Sequence, residues 1–107
     1  MSVFVVETYV VAPEKREKFK SLMQRLFEYK EENAKLFKEV RSFKLFTQVF
    51  GGIAGTYIEM WEFESMADLE KCWERENRDE RFMRIHQEFL QLIEPATFSM
   101  KLWNSVT

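Results

Sequence analysis

The residues in this chain whose types could do chemistry are a few ionisable side chains on predicted strands and one histidine. Glu7 and Glu59 supply carboxyl groups, Lys44 and Lys101 supply ammonium groups, and His86 is the only histidine. A carboxylate held away from water has a raised pKa and can abstract a proton from an acidic organic substrate. Glu7, Glu59 and His86 are therefore the candidate catalytic residues. Alternatively, the two glutamates and two lysines form interfacial ion pairs with no catalytic role.

Large aromatic side chains accompany these charges. Aromatic rings can stack on a flat ligand, and the same rings also fill subunit interfaces. Combined with the two lysines, they give a predicted ligand-binding set: Tyr9, Lys44, Tyr57, Trp61, Lys101 and Trp103. With one histidine and the single Cys72, a zinc site within one chain is not expected. We expect no metal and no cofactor.

The elements that would position these residues follow from the spacing of apolar side chains. Val3 to Val11 is almost continuously apolar, which is typical of a central strand. Val40 to Val49, Gly55 to Glu64 and Thr97 to Trp103 alternate as three further strands. The glycine-rich stretch 51–55 predicts a hairpin loop between the second and third strands.

Helical spacing fills the two remaining parts of the chain. Pro13 suits the first turn of a helix whose apolar residues are Phe19, Leu22, Met23, Leu26 and Phe27. Ser65 is the predicted N-cap of a second helix. A break at Asn77-Arg78-Asp79 separates it from a third, which Pro95 ends and whose buried stripe is Phe82, Ile85, Phe89, Leu92 and Ile93.

This order predicts a single α+β domain over residues 1–107, with a ferredoxin-like β-α-β-β-α(α)-β antiparallel sheet and helices on one face. We expect the helices to cover Phe4, Val6, Phe43 and Leu45. The opposite face would then carry Glu7, Tyr9, Lys44, Phe46, Gln48, Tyr57, Glu59, Trp61, Lys101 and Trp103. Such a face is too aromatic for water and too charged for a dry core. A homodimer that packs two sheets together resolves the conflict.

Composition excludes several classes of protein. The net charge is −2, with no basic stripe, which argues against a nucleic-acid-binding surface. A lone cysteine suits a reducing compartment. No apolar run is long enough to span a membrane, and the first residues lack the basic start of a signal peptide. We therefore expect a soluble, cytoplasmic protein.

Three stretches carry a resemblance to a known superfamily. They are Glu7-Thr8-Tyr9-Val10-Val11-Ala12-Pro13, Ile58-Glu59-Met60-Trp61-Glu62-Phe63-Glu64-Ser65 and Arg81-Phe82-Met83. The chain resembles the dimeric α+β barrel superfamily and, within it, the NIPSNAP-type domain. That family usually has an arginine before the Thr-Tyr pair of strand one, where this chain has Glu7.

The resemblance implies a homodimer of unassigned activity that binds a small, partly apolar organic molecule in the barrel. The superfamily includes cofactor-independent monooxygenases, so an enzyme that uses a cavity carboxylate is the alternative. It also includes haem-degrading enzymes, whose tryptophan and histidine resemble Trp73 and His86 here. Those enzymes use an asparagine in strand one, where this chain has Glu7 or Thr8. Whether the protein is an enzyme stays open at this point.

Overall fold

A computed structural model describes residues 2–107 and confirms the predicted α+β ferredoxin-like fold. The strands are β1 (Val3–Val10), β2 (Ser42–Thr47), β3 (Thr56–Phe63) and β4 (Ser99–Asn104). The α-helices are α1 (Arg16–Glu32), α2 (Met66–Asn77) and α3 (Glu80–Leu92). Short 3₁₀ turns lie at Pro13–Lys15, Ala34–Phe37 and Pro95–Thr97. No helix within residues 2–107 is both long enough and apolar enough to cross a bilayer.

The four strands form one antiparallel sheet in the order β2-β3-β1-β4. β1 lies between β3 and β4 and pairs with both, which explains its nearly continuous apolar sequence. The loop between β2 and β3 is the predicted hairpin. Gly51 and Gly55 have φ values of +94° and +85° there, a region that favours glycine.

Side-chain caps set the starts of α2 and α3. Ser65 Oγ accepts a hydrogen bond from the Asp68 backbone N–H at 3.2 Å, so the predicted N-cap of α2 is confirmed. Asp79 caps α3 in the same way by accepting from the Phe82 N–H at 2.8 Å. The two helices are therefore separate, as the predicted break indicates.

The helices cover one surface of the sheet, which we call the helix face. It consists of the odd-numbered residues of β1, β2 and β3 and the even-numbered residues of β4, including Val5, Tyr9, Trp61, Phe63 and Met100. The other surface, the outer face, has no helix on it. It carries Phe4, Val6, Lys44, Phe46, Ile58, Met60, Lys101 and Trp103.

The predicted face assignment is correct for β2 and β4 and wrong for β1 and β3. Glu7, Tyr9, Tyr57, Glu59 and Trp61 lie on the helix face. β1 is apolar on both faces, so its alternation does not select the side that the helices cover. Glu7 pairs with Glu59 in the register of β1 and β3, so the two residues share a face and an error of face in one strand is an error in both.

Most helix residues predicted for the core are buried, but Phe27 is 40% exposed, Phe82 and Leu92 are partly buried, and the buried Tyr29 was not predicted. Phe19, Leu22, Leu26, Ile85 and Phe89 are all buried. They belong to one cluster with Tyr9 and Val11, rather than packing on Phe4 and Val6. Tyr9 is the centre of this cluster, because its ring lies 4.8 Å from the ring of Phe89 and 5.8 Å from that of Phe19.

Candidate functional site

A cavity of about 400 Å³ lies between the helix face of the sheet and the three α-helices. β1, β3 and β4 contribute its floor, and side chains of α1, α2 and α3 close it above. The lining is mostly apolar and aromatic, with a few ionisable groups. It consists of Val5, Glu7, Met23, Leu26, Glu59, Trp61, Phe63, Trp73, Glu76, Asn77, Phe82, Met83, Ile85, His86, Phe89, Phe98 and Met100.

Glu59 is the most firmly held polar group of the cavity, with only 4% of its surface exposed. One of its carboxylate oxygens accepts a hydrogen bond from the Tyr9 hydroxyl, and the other accepts one from Trp61 Nε1 at 2.9 Å. Both donors come from the helix face of β1 and β3. Burial and the charge of Glu59 raise the pKa of the Tyr9 hydroxyl, which therefore stays a donor.

Glu7 lies directly across from Glu59 on the neighbouring strand. Burial raises the pKa of Glu7 from 4.5 to about 8, and the adjacent negative charge of Glu59 and a hydrogen bond to it act in the same direction. Two carboxylates that share one space cannot both ionise cheaply. Glu7 therefore keeps its proton at neutral pH and can donate a hydrogen bond.

Glu76 brings a third carboxyl group into the cavity from α2. Burial raises its pKa from 4.5 to about 7, while the thiol of Cys72 and the charges of Arg75 and Lys30 act against the rise. Its oxygen Oε2 lies 3.7 Å from Cys72 Sγ. Two groups of the cavity thus titrate close to neutral pH, the range in which general acids and bases work.

Lys30 of α1 is the cation nearest to this group of carboxyls. Its Nζ lies 4.4 Å from the ring centroid of Phe43 and 4.9 Å from that of Trp61. Burial lowers the pKa of Lys30, and the charges of Glu59 and Glu76 oppose that effect. The ammonium group therefore lies against the aromatic wall, and Lys30 itself does not line the cavity.

The structure brings together four of the residues that the sequence predicted for a site. Glu7, Glu59, Trp61 and His86 all line the cavity. Tyr9 lies behind Glu59 in the core, and its ring stacks on that of Tyr57 at 6.2 Å. His86 is exposed, at the helix-edge position that the sequence indicates, with its ring 6.1 Å from that of Phe89.

Three predicted ligand-binding residues lie elsewhere. Lys44, Lys101 and Trp103 are on the outer face, so within one chain the sheet separates them from the cavity. The ion pairs predicted between these lysines and the glutamates are therefore not formed within the chain. The prediction of these ion pairs fails because β1 and β3 were assigned to the wrong face. Both glutamates lie on the helix face, whereas both lysines lie on the outer face.

Sequence reasoning missed Glu76 and Lys30. Glu76 does carry a signal, because it follows Leu69 and Cys72 at the spacing of the buried stripe of α2. Burial of a glutamate costs free energy, so a glutamate on a buried stripe indicates a candidate site residue. Lys30 carries a comparable signal, since it follows Leu26 and Phe27 at the spacing of the apolar stripe of α1. Within residues 2–107, no set of three His, Cys, Asp or Glu side chains is arranged to hold a metal ion.

Comparison with known proteins gives likenesses of structure. Neither a family model nor a curated protein sequence matches this chain. A NIPSNAP family protein from Agrobacterium tumefaciens is similar at a TM-score of 0.76 and 16% identity, covering 99% of this chain and 94% of that one. An uncharacterised NIPSNAP domain protein from Burkholderia xenovorans is similar at a TM-score of 0.76 and 14% identity, over 98% and 95% of the two chains.

A third likeness is to an antibiotic biosynthesis monooxygenase, with a TM-score of 0.72 and 16% identity over 98% of this chain and 99% of that one. At these identities the comparisons bear on fold, and at that level they confirm the resemblance seen in the sequence. The chain has the ferredoxin-like α+β fold that is found in NIPSNAP family proteins and in the antibiotic biosynthesis monooxygenase.

Proposed function

We propose that this protein binds a small, partly apolar organic molecule in the cavity between the sheet and the helices. The observation that carries the proposal is the lining itself: an apolar, aromatic wall around three carboxyl groups that converge from different elements. Small-molecule sites combine mostly apolar walls with a few placed polar groups in this way, and about 400 Å³ lies within their usual size range. Glu59 is held by Tyr9 and Trp61 and needs no rearrangement to receive a ligand.

A neutral fluorescent probe tests this proposal. N-phenyl-1-naphthylamine should bind saturably, one molecule per chain, and accept energy from the tryptophans of the cavity. Met83→Trp should reduce binding by about tenfold or more, because the larger ring occupies space that Met83 now borders. Met66→Trp is the matched control, since it puts the same bulk on the exposed surface of α2. Absence of saturable binding to the wild-type chain would contradict the proposal.

The outer face supports a homodimer as part of the same proposal. Phe46 and Trp103 are 44% and 50% exposed on an uncovered sheet surface that also carries Phe4, Ile58 and Met60. A second copy that packs its own outer face on this one would remove these side chains from water.

Proton abstraction is the second candidate function. The observation that favours it is the pair of cavity carboxyls with pKa values of about 8 and about 7, those of Glu7 and Glu76. Either carboxylate, once ionised, could remove a proton from a carbon acid held against the aromatic wall, as the first step of an oxygenase of the kind that one structural neighbour is named for. Deuterium exchange at the acidic carbon of a cyclic 1,3-diketone, followed by NMR, tests it. An exchange rate that does not change between wild type and the Glu7→Gln and Glu76→Gln variants would exclude it.

A further inference from the structure

The lining of the cavity carries three carboxyl groups and no lysine or arginine among residues 2–107, and Lys30 lies against the Trp61 ring without lining the cavity. The lining also includes one histidine. Glu7 and Glu59 face each other across β1 and β3, and Glu76 reaches the same space from α2. A ligand that carries negative charge would lie beside carboxyl groups and would find no lysine or arginine in the lining to offset the desolvation of its own charge.

Glu76 has unused capacity to accept a hydrogen bond. It is nine-tenths buried, and its one recorded side-chain partner among the described residues is the Cys72 thiol, a weak donor whose sulfur is 3.7 Å from Oε2. No fully buried side-chain nitrogen or oxygen of residues 2–107 lacks a hydrogen-bond partner, so the other oxygen of Glu76 is not fully buried. The cavity is the space that Glu76 lines. A ligand with N–H donors would supply the hydrogen bond that this carboxyl group lacks.

The aromatic wall already receives an ammonium group of the chain itself. Lys30 Nζ lies within 4.9 Å of the Trp61 ring centroid, and Trp61 lines the cavity together with Trp73, Phe82 and Phe89. Aromatic faces carry negative potential and attract cations, and the attraction grows where water is excluded. The same wall therefore suits a second ammonium group placed among the three carboxyls.

We propose that the molecule bound in this cavity is an organic cation, a protonated amine carried on an apolar, aromatic body. The proposal rests on the ligand-binding function above and names the chemical class of its ligand. The ammonium group would lie among Glu7, Glu59 and Glu76 and donate to the free oxygen of Glu76. The apolar body would lie against Trp73, Phe82 and the other rings. A neutral analogue would lack the charge interaction, and an anionic analogue would be repelled.

Binding of such a cation is coupled to proton release. Burial raises the pKa of Glu7 to about 8 and that of Glu76 to about 7, and a bound ammonium group favours the ionised forms of both. The titratable groups around Glu7 are Tyr9 on the same strand, Glu59 on β3, Glu76 on α2 and His86 on α3, which lines the same cavity. Lys30 on α1 acts on Glu59 and Glu76, and Cys72 on α2 acts on Glu76. Affinity should therefore rise from pH 6 to pH 8.

Isothermal titration calorimetry with three matched ligands tests the proposal on the full chain. The ligands are 2-(1-naphthyl)ethylamine, 2-(1-naphthyl)ethanol and 1-naphthylacetate, which share a ring system and differ in charge. At pH 7.5 we expect the amine to bind at least about tenfold more tightly than the alcohol, and the acetate to bind most weakly. Titrations at pH 6.5 in buffers of different ionisation enthalpy should show release of about one proton per amine bound.

Substitutions of the cavity glutamates test whether the preference for the amine depends on their carboxyl groups. Glu7→Gln and Glu76→Gln should each reduce the preference for the amine over the alcohol by several-fold, while Glu70→Gln on the exposed surface of α2 should leave it unchanged. An amine that binds no better than the alcohol in the wild-type protein overturns the ligand class, and the proposed function stands if the neutral fluorescent probe still binds. If the probe and all three ligands fail to bind, the proposed function falls as well.

Discussion

The two faces of the sheet are built from the same four strands and have opposite chemistry. The helix face carries Glu7 and Glu59 among aromatic rings, and the three helices close it into a cavity. The outer face carries Lys44 and Lys101 among exposed apolar side chains and has no cover. The sheet therefore keeps Lys44 and Lys101 apart from Glu7 and Glu59. The two glutamates lie opposite each other, and the charge that acts on Glu59 and Glu76 from the helix side is that of Lys30.

The largest expected difference between the faces is in stability, and Phe89→Ala tests it. Phe89 is buried against the helix face beside Tyr9, so its removal leaves a cavity and should lower the free energy of unfolding by about 3–5 kcal/mol. Phe46→Ala on the outer face, measured under conditions that keep the chain monomeric, should lower it by less than about 1 kcal/mol. Urea unfolding measures both. Equal losses would show that the two faces do not differ in packing.

Much of this arrangement could be read from the sequence, and the part that could not has a physical reason. Helix spacing gave the correct core residues Phe19, Leu22 and Phe89, and Ser65 marked the start of α2. Each strand was found, because alternation and β-branched content are local. The side of β1 that faces the helices is a tertiary property, and a strand buried on both faces does not encode it locally.

The candidate site shows the same division. Glu7, Glu59 and Trp61 were recognised as a group because alternation along their strands put them on one predicted face, although that face was the wrong one. Glu76 and Lys30 join them only because α2 and α1 cross that face. Contacts between helices and a sheet depend on packing across the whole domain, so a place on a buried stripe marks a charged residue as unusual but does not show that it meets Glu7 and Glu59.

The next largest effect should be the pH dependence of stability. A carboxyl whose pKa is raised by folding stabilises the native state fully below its unfolded pKa, and this contribution is lost as the pH rises through the folded pKa. For Glu7 these values are 4.5 and about 8, so wild-type stability should fall across that window, by roughly 2–4 kcal/mol. Glu76 contributes in the same direction between 4.5 and about 7.

Glu7→Gln should remove most of this slope, because the amide is neutral at every pH in the window. Unfolding free energies measured at pH 5, 6.5 and 8 give the comparison, with exposed Glu70→Gln as the matched control. A variant as pH-dependent as the wild type would show that Glu7 ionises freely and that the helix face does not hold its proton.

A smaller difference between the two faces should appear in the strength of dimerisation. If two outer faces pair, Trp103→Ala removes a contact between subunits and should weaken dimerisation by about tenfold or more, as measured by sedimentation. Trp61→Ala removes a ring from the helix face and should reduce stability without a comparable change in dimerisation. A wild-type chain that is monomeric at micromolar concentration would contradict the proposed dimer, and with it this use of the outer face.

The last prediction is that haem does not bind in the cavity. Trp73 and His86 do line the same cavity, which is the arrangement that suggested haem-degrading relatives. Haem carries two propionates, however, and the lining offers them three carboxyls and no lysine or arginine among the described residues. We therefore expect that haemin added to the purified protein gives no one-to-one complex whose Soret band is lost in His86→Ala. A saturable complex that this variant abolishes would mean that the helix face accepts negative charge, and it would weigh equally against the proposed preference for an organic cation.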